Sequence, residues 1–470
     1  MKSRHLIFRG KRHSLIIVTA MLLFSACING YKDDWTFSSG VAGVTLESPD
    51  PEFITGKMVD ENTISISWKV VMGAGGYDFS LYNVDDPENP ILVGEEHEII
   101  DGCTVKRPLV AEDTKYKVVI KTLGSKQKDN ADASSSVEKS IALMTIKQVP
   151  STNSDLTAYF EENGFDDKTI YELSNGTTYS LSKSLEIGEK NVVIRSDKNN
   201  RAKITVNGTG AQFLMTTGKL KLEGLDFDCN ALTSNFVMYN AIPASAPLVN
   251  TYAFSEQVAL ESCNVTGLKS SLISVSSSYK YALKRFYINN CIFAEIQNVK
   301  YIDFYGGSIV NLIITNSTFY NKSETVMKSN FFNFSNVNPN GKITPIYWTL
   351  SNNTFYNISV GTNFMNVGQH NQKTISAYLT KNMFVTVGNN NLINKLGSNV
   401  VKQLTDNNYW FKGGVATTDI NDDTTNETNA GRVGSATSLN PEFADAANGD
   451  FTINSIELAA KKVGDPRWLK

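Results

Sequence analysis

The sequence has few of the residues from which metal sites and nucleophilic sites are usually built. Its 470 residues include five Cys and four His, and no Cys/His cluster has the spacing of a zinc site. Beyond residue 26 the only His are His97 and His370, which lie far apart in sequence. A glycine-rich phosphate loop, a serine nucleophile elbow and a haem signature are also absent. The sequence therefore predicts no metal site and no cofactor of these kinds.

Long apolar runs are scarce too. The run from Leu15 to Phe24 follows five basic residues and is too short to span a bilayer as a mature helix. It leads into Ser25-Ala26-Cys27, which resembles the lipobox of bacterial lipoproteins, with Phe24 in place of the usual Leu. The resemblance implies a signal peptide over residues 1–26 and a lipid on Cys27. The alternative is a plain secreted protein that is cut near Ala26.

A short acidic segment follows at Tyr31–Asp34. It is similar to the segment that sends some gram-negative lipoproteins to the outer face of the outer membrane. The resemblance implies that residues 27–44 are a surface tether and that the protein is lipid-anchored at the cell surface.

An excess of positive charge is also lacking. The formal net charge is −3, and removal of the leader, which has five basic and no acidic residues, brings it to −8. Nucleic-acid binding depends on neutralisation of phosphates by Lys and Arg, so we exclude nucleic acid as a partner. The balance also disfavours a polyanionic substrate unless calcium or a local basic patch intervenes.

A short apolar phrase recurs seven times between residues 220 and 410. Each phrase alternates apolar and polar residues, which is the period of a strand with one buried face. Spacings of 25 to 38 residues between phrases indicate a solenoid. The consensus of leucine-rich repeats and the 3.6-residue spacing of helical repeats are both absent. The anchors, which are the second apolar residues of the phrases, are Leu222, Leu260, Ile288, Ile314, Leu350, Leu379 and Leu404.

A second strand-like segment follows most anchors, as in Tyr301–Phe304 and Phe331–Phe334. Two or three strands per turn, joined by Asn, Gly, Ser and Thr bends, predict a parallel β-helix whose coils stack at about 4.8 Å. Equivalent residues then form ladders. Three positions after the anchors the ladder is Leu225, Cys263, Cys291, Ser317, Asn353, Asn382 and Asn407, and five positions after them it is Phe227, Val265, Phe293, Phe319, Phe355, Phe384 and Tyr409.

Cys263 and Cys291 are neighbours in the first of these ladders. A disulfide between them is sterically conceivable at the stacking distance. Ser and Asn take the same place in later coils, which favours the reading of both Cys as small buried fillers.

Residues 45–147 have a different pattern. Ile64–Trp68 alternates and ends in a Trp, and Tyr77–Tyr82 and Thr114–Ile120 follow as further strands. The set resembles the fibronectin type III domain, with its early buried Trp and its tyrosine-corner Tyr, here Tyr116. The resemblance implies a spacer that lifts the working domain off the membrane, and ligand binding is the alternative. A linker is expected from Met144 to Asn153.

The ends of the repeat region also resemble a known family. Leu173–Tyr179 and Asn191–Ser196 look like the opening coils of pectate-lyase-like β-helices, and residues 440–468 look like their closing segment. The resemblance implies an all-β chain, with a right-handed parallel β-helix over 150–470 and a closing segment over 436–470. The whole chain resembles outer-membrane lipoproteins of starch-utilisation-like glycan gene clusters. This implies a polysaccharide ligand and an outer-membrane glycan transporter as partners, although many such proteins have no assigned activity.

The second strand of each repeat offers candidate sugar contacts. If Ile302, Phe332 and Met365 point inward, the opposite face carries aromatic residues beside Asp and Asn. Ring faces stack on sugar C–H groups, while amides and carboxylates bind hydroxyls. The alternative is a bend column that packs under a loop. The candidate glycan-binding residues are Tyr301, Asp303, Tyr305, Phe331, Asn333, Phe364 and Asn366.

Two inserted segments are expected to wall such a groove. They are Ala231–Gln257 and Asn336–Tyr347, and their candidate wall residues are Tyr239, Tyr252 and Tyr347.

The candidate catalytic residues are Glu223, Glu261, Lys280 and Arg285. Stacked carboxylates at 223 and 261 would repel, share a proton or hold calcium, as in a glycosidase pair or a lyase site. Lys280 or Arg285 would supply a base or neutralise a uronate. The alternative is a set of solvated surface charges, because the longest interval separates the two Glu and the ordered acidic set of a pectate lyase is missing. Binding is therefore the leading hypothesis and catalysis is disfavoured. A lyase or hydrolase of pectic or uronic polymers, with calcium as a conceivable cofactor, is the rival, and a structural or adhesive protein is the third.

Overall fold

The structure is a computed structural model that divides into two units, Met1–Met144 and Thr145–Lys470. It describes residues 41–470 except 61, 86, 109–110, 277, 298, 306, 323–325, 335–342, 344, 367–374, 389–399, 407 and 412–438. The predicted signal peptide and Cys27 lie outside the described residues, as does the tether up to residue 40. In the described part of the chain, no helix has the length and apolar character needed to cross a membrane.

The first unit is a β-sandwich of two antiparallel sheets. One sheet has the strand order β1-β2-β6, and the other has the order β4-β3-β7-β8, with β5 also paired to β3. This is a fibronectin type III-like arrangement. Its strands are β1 Thr55–Asp60, β2 Thr63–Ser67, β3 Gly76–Asn83, β4 Ile91–Leu92, β5 Glu98–Ile100, β6 Thr104–Arg107, β7 Lys115–Leu123 and β8 Val137–Ala142.

The two aromatic features expected of this unit are present. Trp68 is buried and its ring stacks on Phe79 at a centroid distance of 5.8 Å. The hydroxyl of Tyr116 donates to the carbonyl of Ala111 and accepts from its N–H, both at 2.9 Å. These bonds tie the start of β7 to the backbone before it, as in a tyrosine corner. Both expectations are confirmed.

The second unit begins earlier than the sequence indicates. Residues Thr145–Val149 form strand β9, which pairs in parallel with β10 (Thr169–Leu173). The expected linker from Met144 is therefore wrong at its start, and the β-helix begins at residue 145 instead of 150. Helix α1, Leu156–Asn163, follows β9 and is capped by the side chain of Asp155.

The second unit is a parallel β-helix with three sheets. In the first sheet, β9 and β10 are followed by β13 Asn191–Arg195, β16 Lys219–Glu223, β20 Tyr252–Glu261, β23 Tyr281–Asn289, β26 Gly307–Thr315, β29 Ile346–Ser351, β32 Ile375–Thr380 and β34 Val400–Asp406, and β19 Leu248–Val249 pairs with β20. We number the coils 1 to 9 by their first-sheet strands, from β10 to β34.

The second and third sheets complete the coils. The second sheet contains β11 Thr178–Leu181, β14 Ala202–Val206, β17 Leu225–Asp228, β21 Asn264–Thr266, β24 Ile292–Ala294, β27 Thr318–Tyr320, β30 Thr354–Tyr356, β33 Met383–Val385 and β35 Tyr409–Phe411. The third sheet contains β12 Leu185–Gly188, β15 Phe213–Met215, β18 Val237–Tyr239, β22 Ile273–Val275, β25 Ile302–Asp303, β28 Phe332–Asn333 and β31 Met365–Asn366.

The predicted stacking register holds through coil 8. The first six anchors, from Leu222 to Leu379, are direct partners in successive coils. The last step is different, because Leu379 pairs with Thr405 and not with Leu404. The register shifts where Ile375 and Ser376 pair with Val400 and Lys402, so one residue of β34 has no partner there. The extra residue moves every later position by one.

The ladders inside the core follow the same register. Phe293, Phe319, Phe355 and Phe384 are buried and stacked, with centroid distances of 4.7, 5.1 and 5.2 Å. Trp410, and not Tyr409 as expected, is the partner of Phe384 in coil 9.

A polar ladder runs beside the stacked rings. The amide oxygen of Asn382 accepts the main-chain N–H of Asn353 at 3.1 Å, and that of Asn408 accepts the N–H of Asn382 at 2.9 Å. Asn408 therefore takes the place that was expected for Asn407. In earlier coils the same column holds Cys263 and Cys291, both buried as free thiols. The reading of these two Cys as small fillers is confirmed.

The closing segment covers the outer side of the second sheet. It contains the antiparallel pair β36 Phe443–Asp445 and β37 Asp450–Ile453, and then helix α2 Ile456–Ala460. Its side chains pack on Met383, Val385 and Tyr409 of coils 8 and 9.

Candidate functional site

Three of the candidate glycan-binding residues lie in the core. Tyr301, Phe331 and Phe364 are each 0% exposed, and Phe331 packs against Phe319 with a centroid distance of 5.0 Å. Each of the three precedes a third-sheet strand, at a bend where the strict alternation of strand residues does not apply. Two successive residues point inward there. The prediction that these rings face outward is wrong.

The polar candidates do form an outer ladder. Asn333 donates to the carboxylate of Asp303 at 2.6 Å, and Asn366 donates to Asn333 at 3.4 Å. Burial raises the pKa of Asp303, and the bond from Asn333 opposes that rise. Asn333 is fully buried. Asp303, Tyr305 and Asn366 are partly exposed. With Tyr305 as its one ring, this ladder fits the alternative reading of bend stabilisation better than a sugar platform.

The expected groove walls are only partly right. Tyr239 and Tyr252 are 0% and 4% exposed and contribute to packing. Tyr252 belongs to a small apolar cluster outside the core that also includes Ile343 of the second insertion. Tyr347 is 42% exposed and lies on β29. Most of Asn336–Tyr347 lies outside the described residues.

The two candidate acidic residues are brought together. Glu223 and Glu261 are direct partners in β16 and β20, so the long interval between their anchors does not separate them. The Lys221 ammonium lies 2.8 Å from Glu223 and 3.0 Å from Glu261, and Lys198 lies 2.8 Å from Glu223. Burial would raise the pKa of Glu223, but the two lysines outweigh it and hold the pKa below its ordinary value. Glu223 is therefore a fixed carboxylate and a poor proton donor.

The pair continues a ladder of paired charges along coils 1 to 4. Arg195 of coil 2 donates to Glu172 of coil 1 at 2.8 Å, and it is the register partner of Glu223. Glu172, Arg195 and Glu223 thus alternate in charge over coils 1 to 3, and Lys221 bridges the like-charged partners Glu223 and Glu261 of coils 3 and 4. This arrangement stabilises the stacking and leaves the carboxylates neutralised.

The two basic catalytic candidates are not part of this cluster. Lys280 precedes β23 and Arg285 lies five residues further on, about 16 Å along an extended chain. Arg285 donates to the amide oxygen of Gln257 at 3.4 Å. Arg285 lies four residues before Asn289, the direct partner of Glu261 in the next coil, and four strand residues span about 13 Å. The four candidates therefore do not form one catalytic constellation.

A further surface, which is not among the predicted sites, lies on the outer side of the first sheet. In coils 5 to 8, three positions per strand face outward, and each is a direct partner of its equivalents in the next coil. All are half-buried or exposed. We call this surface the tyrosine face; its residues are Arg285, Tyr287, Asn289, Asn311, Ile313, Thr315, Tyr347, Thr349, Ser351, Ser376, Tyr378 and Thr380.

Hydrogen bonds between coils fix the polar side chains of this face. Thr315 donates to Asn289 at 2.9 Å, and Thr380 donates to Ser351 at 3.0 Å. Burial and the charge of Glu261 raise the pKa of Tyr287 to about 12, so its ring carries a neutral hydroxyl. Tyr287 and Tyr378 are the middle residues of two repeated phrases. That middle position indicates the face from sequence, since it alternates with two buried neighbours.

Metal ligands are scarce in the described part of the chain. No group of three or more His, Cys, Asp or Glu residues there is placed to hold a metal ion. His97 belongs to the first unit, where its ring contacts Asp78 at 3.0 Å. His370 lies outside the described residues.

Three family models match parts of the chain, and each is described as a domain of unknown function: DUF4992 over residues 1–188, DUF4957 over 177–322 and DUF5123 over 348–468. A comparison with curated proteins finds no match.

Solved structures match each unit at low TM-scores. The family 28 exopolygalacturonase of Yersinia enterocolitica is 9% identical, covers 74% of this chain and 92% of its own, and has a TM-score of 0.24. FN3tt and the form called FN3tt mut are each 16% identical, cover 21% of this chain and 98% of their own, and have TM-scores of 0.16. We assign the fold from the strand order and register, since scores this low carry no argument.

Proposed function

We propose that the protein binds a polysaccharide along the tyrosine face and does not cleave it. The observation that carries this proposal is the ladder itself. Tyr287, Tyr347 and Tyr378 stand among amide and hydroxyl side chains in register over four coils. Rings for sugar C–H groups and fixed polar groups for hydroxyls are the two kinds of contact that a sugar chain needs.

The length of the face suits a chain of sugars. Coils stack at about 4.8 Å, so coils 5 to 8 span about 14 Å from the first strand to the last. One column of the face, Asn289, Thr315, Ser351 and Thr380, is polar in every coil, which offers hydrogen bonds at a regular spacing to a ligand that itself repeats. The first sheet also has longer strands than the third sheet, which gives the face its breadth.

Catalysis is not supported by the acidic pair. A glycosidase needs one carboxyl group that can donate a proton, whereas Glu223 is held ionised by Lys221 and Lys198. The basic candidates Lys280 and Arg285 lie away from that pair. Binding is therefore the function that the geometry supports best.

We further propose that the protein acts at the cell surface. Cys27 would carry a lipid anchor in the outer membrane, and the fibronectin-like unit would serve as the spacer. An outer-membrane glycan transporter would receive the captured polymer. Mass spectrometry of the N-terminal peptide from purified membranes would test the anchor, with a lipid-modified Cys27 as the expected result.

Affinity electrophoresis against a panel of plant and host glycans would test the binding proposal. We expect at least one polymer to retard the chain lacking its leader. Tyr347→Ala should weaken retardation by roughly threefold to tenfold, because a stacked ring contributes about 0.5–1.5 kcal/mol. Tyr305→Ala, on the third-sheet side, is the matched control and should behave as wild type. The absence of retardation by every polymer, from folded protein, would contradict the proposal.

A further inference from the structure

The charges of the β-helix are divided unevenly between its two halves. Residues 145–280, which run from β9 to the start of coil 5, contain twelve basic and fourteen acidic residues. Residues 281–411, from the first residue of β23 to the last of β35, contain ten basic and four acidic residues, a net charge of +6. The chain as a whole is acidic, but the stretch that carries the tyrosine face is basic. It keeps a net charge of +3 when residues 412–470, with six basic and nine acidic residues, are added to it.

Ion pairs strengthen this difference between the two stretches, because they offset acidic side chains in coils 3 and 4. Lys198 of coil 2 and Lys221 of coil 3 pair with the carboxylates of Glu223 and Glu261, which lie in coils 3 and 4. The twelve residues of the tyrosine face include no acidic residue and one basic residue, Arg285. Arg285 donates to the uncharged amide of Gln257.

We propose that the polysaccharide carries anionic groups and that Arg285 determines this preference. The inference rests on the proposed function and adds a ligand class to it. A guanidinium offers a planar fork of donors that matches a carboxylate or a sulfate. Charges are screened over about 8 Å at physiological salt, so the charges nearest the face matter most. Glu261 of coil 4 adjoins the face beside Asn289, but Lys221 pairs with that carboxylate at 3.0 Å, which leaves Arg285 as the charge that lies on the face itself.

Matched polymers would test the ligand class. Retardation by polygalacturonate would be compared with retardation by the same polymer after reduction of its carboxyl groups, and a sulfated glycan would separate carboxylate from sulfate recognition. Each would be measured at low salt and in 0.5 M salt. We expect anionic polymers to bind at least tenfold more tightly than the reduced polymer at low salt, and the added salt to remove most of that difference.

Variants would test the role of Arg285. Arg285→Ala should lower affinity for the anionic polymer by roughly tenfold or more, since a charged hydrogen bond contributes about 1.5–3 kcal/mol. Arg285→Lys should keep part of the affinity, because it keeps the charge and loses the fork. Lys284→Ala is the control, because Lys284 already pairs with Glu256 at 2.7 Å, and it should change affinity by less than twofold.

The outcomes separate this inference from the proposed function. Equal binding of the neutral and anionic polymers, without an effect of salt, would overturn the anionic preference and leave polysaccharide binding in place. Unchanged affinity of Arg285→Ala would overturn the assignment to Arg285. A failure of every polymer to bind would overturn both the inference and the proposed function.

Discussion

The Lys221 ammonium joins two carboxylates of neighbouring coils, at 2.8 Å from Glu223 and 3.0 Å from Glu261. The side chains of Lys221 and Glu223 are only 14% and 12% exposed. Without Lys221, two partly buried negative charges would face each other with only the more exposed Lys198 to offset them. The cluster is therefore a structural element of coils 3 and 4.

Lys221→Met should lower the free energy of unfolding by about 1–3 kcal/mol, below the cost of breaking a fully buried pair because this cluster is partly exposed. Urea denaturation would measure it. Lys219→Met, on the same strand and the same outer face, is the control and should stay near wild type. Equal stability of the two variants would contradict the structural role that is assigned to Lys221.

The same cluster should make the stability of the protein depend on pH. The pKa of Glu223 is lowered in the folded protein from an ordinary value of 4.5, so its ionised form stabilises the fold. This contribution is present above about pH 4.5 and is lost as the pH falls towards the folded-state pKa. Glu223→Gln should therefore flatten the loss of stability between pH 5 and pH 3. A variant curve parallel to that of wild type would contradict the assignment.

The pKa of Asp465, in the closing segment, is shifted in the opposite direction from that of Glu223. Burial raises its pKa to about 6, although Arg467 opposes the shift. The folded state then binds a proton that the unfolded state has released between about pH 4 and pH 6, so stability falls as the pH rises through that window. Relative to wild type, Asp465→Asn should gain up to about 3 kcal/mol between pH 4 and pH 7. Denaturation at both pH values would measure the gain, and a constant difference would count against it.

The asparagine ladder predicts that the loss of one side-chain amide will lower the free energy of unfolding substantially. Asn382 accepts from the N–H of Asn353 and donates to the carbonyl of Leu350 at 2.8 Å. Asn382→Ala would leave both buried groups without this partner, at about 1–3 kcal/mol each. We expect a loss of roughly 3 kcal/mol in the free energy of unfolding, against less than about 0.5 kcal/mol for Thr349→Ala on the outer face. Similar losses in both variants would contradict a special role for the ladder.

Much of the fold could be predicted from the sequence. The anchors from Leu222 to Leu379 alternate so regularly that one register buries all of them. In the first unit, Trp68 stacks on Phe79, and Tyr116 bonds to Ala111 five residues before it, so both contacts join residues that are close in sequence. Such features are readable because the sequence period and the structural period are the same.

The errors have local causes. Tyr301 was expected to face outward because strict alternation was extended across a bend, where the chain turns and two neighbours share the core. Leu404 was placed in the ladder although an extra residue in β34 shifts the register. The tyrosine face was not predicted, because the candidate residues come from the position after each anchor, as at Glu223, whereas the face includes the position before it, as at Tyr287.

Titration calorimetry with an oligosaccharide of the best-retained polymer tests the central claim most directly. The double variant Tyr347→Ala/Tyr378→Ala removes both rings at the far end of the tyrosine face. We predict that its affinity is about tenfold to a hundredfold lower than that of wild type, with unchanged thermal unfolding. An affinity equal to that of wild type would show that the sugar chain does not lie on the tyrosine face.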